Sequence, residues 1–397
     1  MVDIAHQAAI NPASPEDATA ALVPLTAIEP GQWRALAQRA VEPNGYYLPA
    51  WELAVSATAR GRIGASALSV RAGASRRLIG LMPVVSLWRA CKIPLPALVS
   101  AHPYGTLCSP LIDRDVSAEA ATGLLQRARE AGAHALVLRD VALDGAAMGA
   151  IKEALGRAGL KPRVLGAHVR ASLDATQDGD RLLHAALGAK RLKELRRQRR
   201  RLAEHGAISF DVARKVEEIR PALEIFLQLE ASGWKGKRGT ALLQDTGDAA
   251  FIRRAVPALA ETAQCEIVSL RAGTIPVAAG IVLRHQNRAF FFKLGIDERF
   301  AKYSPGVQLT LDLTRHLCAD PTIASADSTA SADHPMINPI WRDRLAIGDV
   351  LIPLRRHGPM VALIHAVLIT RGYAREAARR AIRLLRNRAD ATPPPAR

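Results

Sequence analysis

A short internal repeat places the strongest constraint on how this chain folds. Residues 69–73 (Ser-Val-Arg-Ala-Gly) recur as residues 269–273 (Ser-Leu-Arg-Ala-Gly). Around each copy, hydrophobic periodicity and turn residues predict the same order of elements: two helices, a strand, a hairpin, a crossover, a helix and a strand. A five-residue match at the same step of two similar element orders indicates a duplicated domain.

The length and composition of the chain fit two such domains. At 397 residues, with 49% hydrophobic and 23% charged residues, the chain can bury two cores of ordinary size. We expect a loose leader over residues 1–20, α/β domains with mixed sheets over 21–175 and 176–354, and an arginine-rich helical tail over 355–397.

The most informative stretch begins at an apolar strand near residues 289–294 and reaches a helix through Ser304, Pro305 and Gly306. We expect Ser304 to cap this helix, Pro305 to suit its first turn and Gly306 to let a ligand approach the backbone. The free N–H groups and the dipole of such a helix favour an anion, most often phosphate. An ordinary capped helix without a ligand is the alternative.

Two polar residues follow on the next predicted strand and loop. Asp327 ends a strand predicted over residues 323–327, and His334 lies in the loop that leads to Trp341. Histidine titrates near neutrality and can take a proton from a nucleophile. A single loop histidine is more often structural or incidental, so both interpretations stay open.

Further candidates come from the end of a helix predicted over residues 216–231 and from the loop after it. Glu230 is either a catalytic base or a solvated helix end. In the glycine-rich loop that follows, Trp234 and Lys235 offer an aromatic face and a cation, which either hold a phosphate or sugar or only pack. Lys293 and Tyr303 complete the set of candidate site residues.

Several classes of protein lack support in the sequence. The cysteines are widely spaced and indicate neither a zinc site nor a disulfide framework, so no metal is expected. There is no P-loop, GxSxG, HExxH or Rossmann fingerprint. No window holds the roughly 18 uncharged apolar residues of a membrane span, and the first residues do not resemble a signal peptide, so we expect the cytoplasm.

The net charge of +17 is concentrated in two segments. Residues 189–205 carry eight Lys or Arg and two Glu, and residues 355–397 carry ten Arg and two acids. Such segments attract polyanions, but no aromatic residues or recognition motif support nucleic-acid binding by the first. The tail suits either an anionic membrane surface or docking on the domain through its apolar side.

Three sequence segments carry a resemblance to a known family. They are residues 229–241 (Leu-Glu-Ala-Ser-Gly-Trp-Lys-Gly, then Gly-Thr-Ala), residues 293–306 (Lys-Leu-Gly-Ile-Asp-Glu, then Tyr-Ser-Pro-Gly) and residues 327–341 (Asp-Ser, then Asp-His-Pro-Met-Ile and Trp). They resemble the CelD-like branch of the GNAT acyltransferase superfamily, which is related to the Fem-type aminoacyl transferases. The resemblance covers about residues 180–350 closely and 20–175 weakly. Thr329 stands where relatives commonly have Cys, so no thiol nucleophile is expected.

The resemblance implies two tandem GNAT-like domains, with the first degenerate and structural and the second binding acetyl-CoA or another acyl-CoA. It implies phosphate contacts at Ser304 and Gly306, with Tyr303 and Lys293 nearby, and direct transfer to an amine or hydroxyl. His334 or Glu230 would be the base, with Asp327 orienting it. The expected acceptor is a saccharide, lipid or cell-envelope precursor at the inner membrane face.

Two alternatives stay open at this stage. One is aminoacyl transfer from charged tRNA, as in the Fem relatives, which would use both the candidate site and the basic segments. The other is a non-catalytic protein that binds polyanions through those segments alone.

Overall fold

A computed structural model describes residues 21–60, 64–74, 76–101, 104–233, 236, 238–356 and 358–390, with the backbone alone at 379 and 382–390. The predicted leader, the last seven residues, and Trp234 and Lys235 lie outside these ranges. The first half of the chain comprises β1 (Val23–Pro24), α1 (Pro30–Gln38), α2 (Pro49–Thr58), β2 (Ser66–Ala72), β3 (Arg77–Ser86), α3 (Leu87–Cys91), β4 (Ala97–Ser100), β5 (Leu111–Ile112), α4 (Ser117–Glu130), β6 (Ala135–Ala142), α5 (Ala146–Arg157) and β7 (Arg163–Asp174).

The second half repeats the main part of this order, without counterparts of α3 and β5 and with a different connection between its last two strands. It comprises α6 (Gly179–Leu202), β8 (Ile208–Ala213), α7 (Val216–Ser232), α8 (Thr246–Ala260), β9 (Cys265–Ala272), β10 (Ile275–His285), β11 (Arg288–Ile296), α9 (Pro305–Cys318), β12 (Ser325–Asp327), β13 (Asp343–Pro353) and the terminal helix α10 (Pro359–Asp390). A loop connects β12 to β13, whereas a helix, α5, connects β6 to β7.

The repeated pentapeptide lies where the duplication predicts it. Each copy ends the second strand of its half and enters the turn of the β2–β3 or β9–β10 hairpin. Both glycines of the repeat have left-handed backbone conformations, with φ of 71° at Gly73 and 59° at Gly273. Glycine adopts this conformation without steric cost, which gives a physical reason for its presence in both copies.

The strands of both halves form one continuous sheet in the order β1-β2-β3-β4-β6-β13-β7-β12-β11-β10-β9-β8, and β5 pairs with β3. The halves exchange their last strands. β7 of the first half pairs with β12 of the second, and β13 of the second half pairs with β6 of the first. Antiparallel pairing of β7 with β13 then joins the two halves at the middle of the sheet.

Helices from both halves meet above this sheet. α2 packs against α8 so closely that a Cβ on Gly247 would lie 2.2 Å from the carbonyl oxygen of Thr58. Trp51 on α2 and Phe251 on α8 are fully buried, with ring centroids 4.9 Å apart. The two halves therefore share one core, and the domain boundaries near residues 175 and 354 stay a prediction.

The main helices and hairpins were predicted, but several strands were not. Most of the basic segment 189–205 lies in α6, which has a kink at Gly188, where φ is 70°. β4, β8 and the eleven-residue β13 had no counterpart among the predictions. Residues 359–390 of the tail form a single helix, α10.

Candidate active site

The site begins where two parallel strands separate. β11 and β12 pair only over Arg288–Phe290 and Ser325–Asp327. Beyond this point, β11 continues to Ile296 without a strand partner on this edge. On its other edge, β11 pairs with β10, and the register shifts by one residue between Phe291 and Lys293. Phe292 is the extra residue of this bulge, and bulges bend a strand and leave one residue unpaired. A wedge therefore opens beside Phe292.

α9 starts at the open end of this wedge. Ser304 precedes the helix in a left-handed conformation, with φ of 54° and ψ of 51°, and its side chain forms no capping hydrogen bond. The predicted cap is therefore wrong, because that backbone conformation does not direct the hydroxyl to the helix amides. No acidic side chain occupies the first turn. The amides of Gly306 and Val307 are available to a ligand, as amides in a first helical turn generally are.

A cavity of about 380 Å³ fills the wedge. Its walls come from β11, from the start of α9 and from the loop after β12, and most of them are apolar, including Phe291, Phe292, Leu294, Val307, Met336 and Ile337. Four predicted site residues line it: Lys293, Ser304, Gly306 and His334. Gly306 lies close to the strand, because a Cβ there would be 3.0 Å from Cδ2 of Leu294.

His334 reaches the cavity from the loop between β12 and β13. Its Nδ1 accepts a long hydrogen bond from the amide of Met336 at 3.4 Å. Trp341 anchors the end of the loop, because it is fully buried and its Nε1 donates to Oγ1 of Thr314 at 2.9 Å. A partly exposed imidazole on an anchored loop can accept a proton from a bound nucleophile.

Glu230 lies behind the cavity wall and is paired with Lys293. One carboxylate oxygen accepts from Nζ of Lys293 at 2.9 Å, and the other accepts from the amide of Leu242 at 3.0 Å. The Glu230 side chain is fully buried, whereas that of Lys293 is 19% exposed. Glu230 therefore fixes Lys293 at the cavity and ties the end of α7 to the segment before α8.

Asp327 is also buried, and its carboxylate shapes the backbone of the cavity wall. One oxygen accepts a hydrogen bond from Arg170, and the other accepts from the amide of Thr329 at 2.8 Å. Thr329 has a φ of 52°, which is unusual for a β-branched residue. Its hydroxyl donates to the carbonyl of Phe291 at 2.7 Å. This network holds the strained turn between the two separating strands.

The first half of the chain contributes to this network through residues that sequence reasoning missed. Arg170 on β7 is 2% exposed and donates both to Asp327 and to the carbonyl of Thr106 at 2.7 Å. The hydroxyl of Tyr46 faces Thr106 and Thr329, and burial raises the pKa of this hydroxyl, so it stays protonated. No local pattern marks these residues, because the exchange of β7 brings Arg170 to the site and the shared core brings Tyr46 there.

Three other predicted site residues do not line the cavity or lie outside the described residues. Tyr303 is buried beneath the start of α9, with its hydroxyl 3.2 Å from Nε2 of His205, and it does not line the cavity. Trp234 and Lys235 fall outside the described residues. Within those residues, no group of three or more His, Cys, Asp or Glu side chains is arranged to hold a metal ion.

Comparison with known proteins identifies a related family and related folds. Residues 189–334 match the family model described as an acetyltransferase (GNAT) domain. No functionally curated protein matches the sequence. A crystal structure of FemX is similar over 85% of this chain and 98% of its own, with a TM-score of 0.55 and 13% identity.

Two further solved structures share the fold. The C-terminal domain of a protein described as a lysylphosphatidylglycerol synthetase from Agrobacterium fabrum covers 86% of this chain and 95% of its own, with a TM-score of 0.51 and 11% identity. L-PGS from Bacillus licheniformis covers 86% and 97%, with a TM-score of 0.50 and 12% identity. The chain therefore has a fold of two tandem GNAT-like units, carries a GNAT acetyltransferase domain in the second, and is an acyltransferase.

Proposed function

We propose that the protein transfers an acyl group from acyl-CoA directly to an amine or hydroxyl of a saccharide, lipid or cell-envelope precursor. The observation that carries this proposal is the cavity in the wedge between β11 and β12, with the acid-free start of α9 at its mouth. An apolar cavity that ends at unpaired helix amides fits a thioester donor, which joins an apolar arm to a pyrophosphate.

Each part of the donor has a matching part of the site. The amides of Gly306 and Val307 bind pyrophosphate oxygens, and Lys293 adds a positive charge at the cavity. The apolar walls hold the pantetheine arm and the acyl chain. The unpaired backbone at Phe292 lies where the strands separate, and an amide there stabilises the oxygen that becomes negative during attack on the thioester carbonyl.

The chemistry is a single displacement at the carbonyl carbon. The acceptor nitrogen or oxygen forms a bond to that carbon, the C–S bond breaks, and CoA leaves as a thiolate that then takes up a proton. His334 removes the proton of the acceptor, because its imidazole lines the cavity on an anchored loop. Glu230 is the other candidate base, and its pairing with Lys293 favours His334.

The acceptor class follows from the shared fold. A protein described as a lysylphosphatidylglycerol synthetase has this fold, which supports a lipid or envelope acceptor. We place the enzyme in the cytoplasm at the inner membrane face, and we assign Trp234 and Lys235 to acceptor binding on the resemblance alone. Asp327 has a positioning role for Thr329 in this proposal, through its bond to the Thr329 amide.

A specific feature favours a second candidate donor, charged tRNA. α6 packs against α9, with the side-chain amide of Gln308 donating to the carbonyl of Leu195 at 2.8 Å. The exposed side of α6 carries six basic residues that form no ion pair with another described residue: Lys190, Arg191, Lys193, Arg196, Arg200 and Arg201. Such a surface beside the donor cavity can bind a nucleic-acid backbone.

Titration calorimetry of the whole protein with acetyl-CoA, longer acyl-CoAs, free CoA and charged tRNA tests the proposal. The matched variants are Val307→Asp and Val307→Asn, which have similar size and differ in charge. A carboxylate in the first turn favours the helix itself but repels pyrophosphate, so a loss of CoA binding in Val307→Asp alone does not reflect unfolding. Folded protein that gives no heat with any CoA overturns the acyl-CoA proposal, and binding of charged tRNA then supports the second.

A further inference from the structure

The most exposed large apolar side chains of the described residues lie on three neighbouring elements. They are Trp88 on α3, Val164 and Val169 on β7, and Leu363 and Tyr373 on α10, with 47–71% of each exposed. Buried or partly buried neighbours from the same elements, Leu87, Leu165 and Ile364, pack in one small core cluster. The exposed residues therefore surround that cluster on one region of the surface.

α10 changes character along its length. In its first turns, Val361 and Ile364 are buried in the small cluster and Leu368 packs against it. Seven residues after Leu368, the same helical face carries Arg375, which is exposed. Every residue from 372 to 378 is exposed. The helix thus leaves the domain after about three turns, and arginine replaces the apolar docking face.

The opposite face of α10 stays mostly apolar along both parts. Leu363, Ala366, Thr370, Tyr373 and Ala377 recur at helical spacing, and all five are exposed. An apolar stripe beside arginines is typical of a helix that lies in the interface of an anionic membrane. Tyrosine and tryptophan side chains are enriched at such interfaces, which fits Tyr373 and Trp88.

A cavity without acidic residues lies at the start of this helix. Arg129, Arg355 and Arg356 line it, and its volume is about 430 Å³. Nε of Arg129 donates to the carbonyl of Leu354 at 2.5 Å, and Nε of Arg356 donates to the carbonyl of Ala158 at 2.6 Å. These bonds fix two guanidinium groups through one nitrogen each and leave the others for a phosphate.

We propose that α10, the exposed residues of α3 and the arginine cavity form a docking surface for an anionic phospholipid bilayer. The arginine cavity binds the phosphate of a headgroup, and the apolar stripe enters the interface. The positive charge favours an anionic bilayer over an uncharged partner, because arginines flank the apolar stripe and three more line the cavity. Within the described residues no helix has the length and hydropathy of a membrane span, so the contact is peripheral.

Vesicle co-sedimentation of the full chain tests this inference, with phosphatidylglycerol-containing vesicles against pure phosphatidylcholine. Arg355→Gln with Arg375→Gln removes two charges, and each basic residue near an anionic surface contributes about 1 kcal/mol, so binding weakens about 25-fold. Leu363→Ser with Tyr373→Ser weakens binding about fivefold or more by removing exposed apolar area. Arg200→Gln with Arg201→Gln on α6 is the control of equal charge, and it changes binding less than twofold.

Three results would overturn the proposal. One is equal binding to both vesicle types, and another is an equal loss in the α6 control, which would mean that net charge alone drives binding. The third is a protein dimer in solution that Tyr373→Ser dissociates, because a second copy would then cover the helix. Competition by glycerol phosphate supports the headgroup site in the arginine cavity. Because these readouts need no acyl donor, they succeed or fail independently of the proposed function.

Discussion

The two halves of this protein start from the same order of elements and differ most after their fifth major strand. In the first half, the twelve-residue helix α5 connects β6 to β7 and covers the sheet. In the second half, an irregular loop connects β12 to β13 and carries His334 into the cavity. The second half therefore has a cavity-lining loop where the first half has a helix that covers the sheet.

The starts of the equivalent helices α4 and α9 differ in their acidic residues. α4 of the first half has Glu119 in its first turn, and the segment before it contains Asp115. α9 has no acid in its first turn. Acidic residues interact favourably with a helix N-terminus, so α4 is already satisfied by its own sequence, whereas α9 is left for an external anion. In our proposal, the start of α9 binds the donor, and the acids near the start of α4 stabilise that helix.

The strands complete the contrast. β4 has four residues and ends at Ser100, whereas β11 has nine residues, a bulge at Phe292 and a free edge beyond Phe290. The candidate site of the second half therefore depends on three local differences from the first half. A loop replaces the helix between the last two strands, the first turn of α9 has no acid, and β11 extends beyond its pairing with β12. The first half still contributes to the candidate site, because Arg170 on β7 donates a hydrogen bond to Asp327 behind the cavity wall.

The largest expected effect is on the turnover number after substitution of His334, which lies on the loop that replaces the α5 helix of the first half. His334→Gln should lower the turnover number by about 10²–10⁴-fold while leaving CoA affinity within about twofold, because it removes the base and not the donor site. Turnover is measured as thiol release with an acceptor found by screening. Glu230→Gln is the matched comparison, and a greater loss in that variant would assign the base to Glu230.

The next effect tests whether the first half supports the site of the second. Arg170→Met leaves the buried carboxylate of Asp327 unpaired, so the free energy of unfolding should fall by about 3–5 kcal/mol in chemical denaturation. Asp327→Asn in addition should recover part of this loss. Arg253→Met breaks the exposed pair with Glu224, which lies at 2.7 Å, and should cost less than about 1 kcal/mol. Equal costs for both variants would contradict the structural role of Arg170.

A third prediction concerns the contact between the halves at His285 on β10. Nδ1 accepts from the amide of Asn44 at 2.8 Å and Nε2 lies 2.9 Å from the carbonyl of Ala37, which defines a neutral ring. Burial lowers the pKa of His285 to about 4. Below pH 6.5 the unfolded state takes up a proton that the folded state refuses, so stability falls between pH 6.5 and 4.

Between pH 6.5 and 4, the free energy of unfolding should fall by about 3 kcal/mol because of His285. Urea unfolding at several pH values measures it, and the comparison is His285→Gln, which does not titrate. Because acidic groups also titrate near the lower end of the window, the quantity of interest is the difference between the two proteins. An identical pH dependence would show that His285 is not held neutral.

The smallest effect is at the strained turn. Thr329→Val keeps the shape of the side chain and removes the hydroxyl that donates to the carbonyl of Phe291, so stability should fall by about 1 kcal/mol and acyl-CoA affinity should weaken. Thr329→Ser retains the hydroxyl and serves as the control. Weaker binding in the serine variant would mean that the methyl group, and not the hydrogen bond, shapes the wall.

Local signals made much of the second half predictable. Hydrophobic periodicity located α7, α8 and α9, and the glycine-containing turns located the β2–β3 and β9–β10 hairpins, because these features depend on neighbours in sequence. Four candidate residues line the cavity for the same reason: they follow one strand, one helix start and one loop.

The remainder depends on contacts between distant residues. The pairing of β13 with β6 and β7 joins segments that are far apart in sequence. The eleven residues of β13 do not indicate which strands they pair with. The contribution of Arg170 follows from that exchange and was equally hidden. The left-handed conformation of Ser304 also escaped prediction, because serine before Pro-Gly is ordinarily a helix cap.

The central claim is that only one of two equivalent helix starts binds the acyl donor, and hydrogen exchange of the full chain with and without CoA tests it most directly. We predict that CoA slows exchange in residues 291–296 and 304–310 and leaves residues 114–121 unchanged. Slowed exchange at residues 114–121, or at neither helix start when CoA binding is saturated, would contradict the claim.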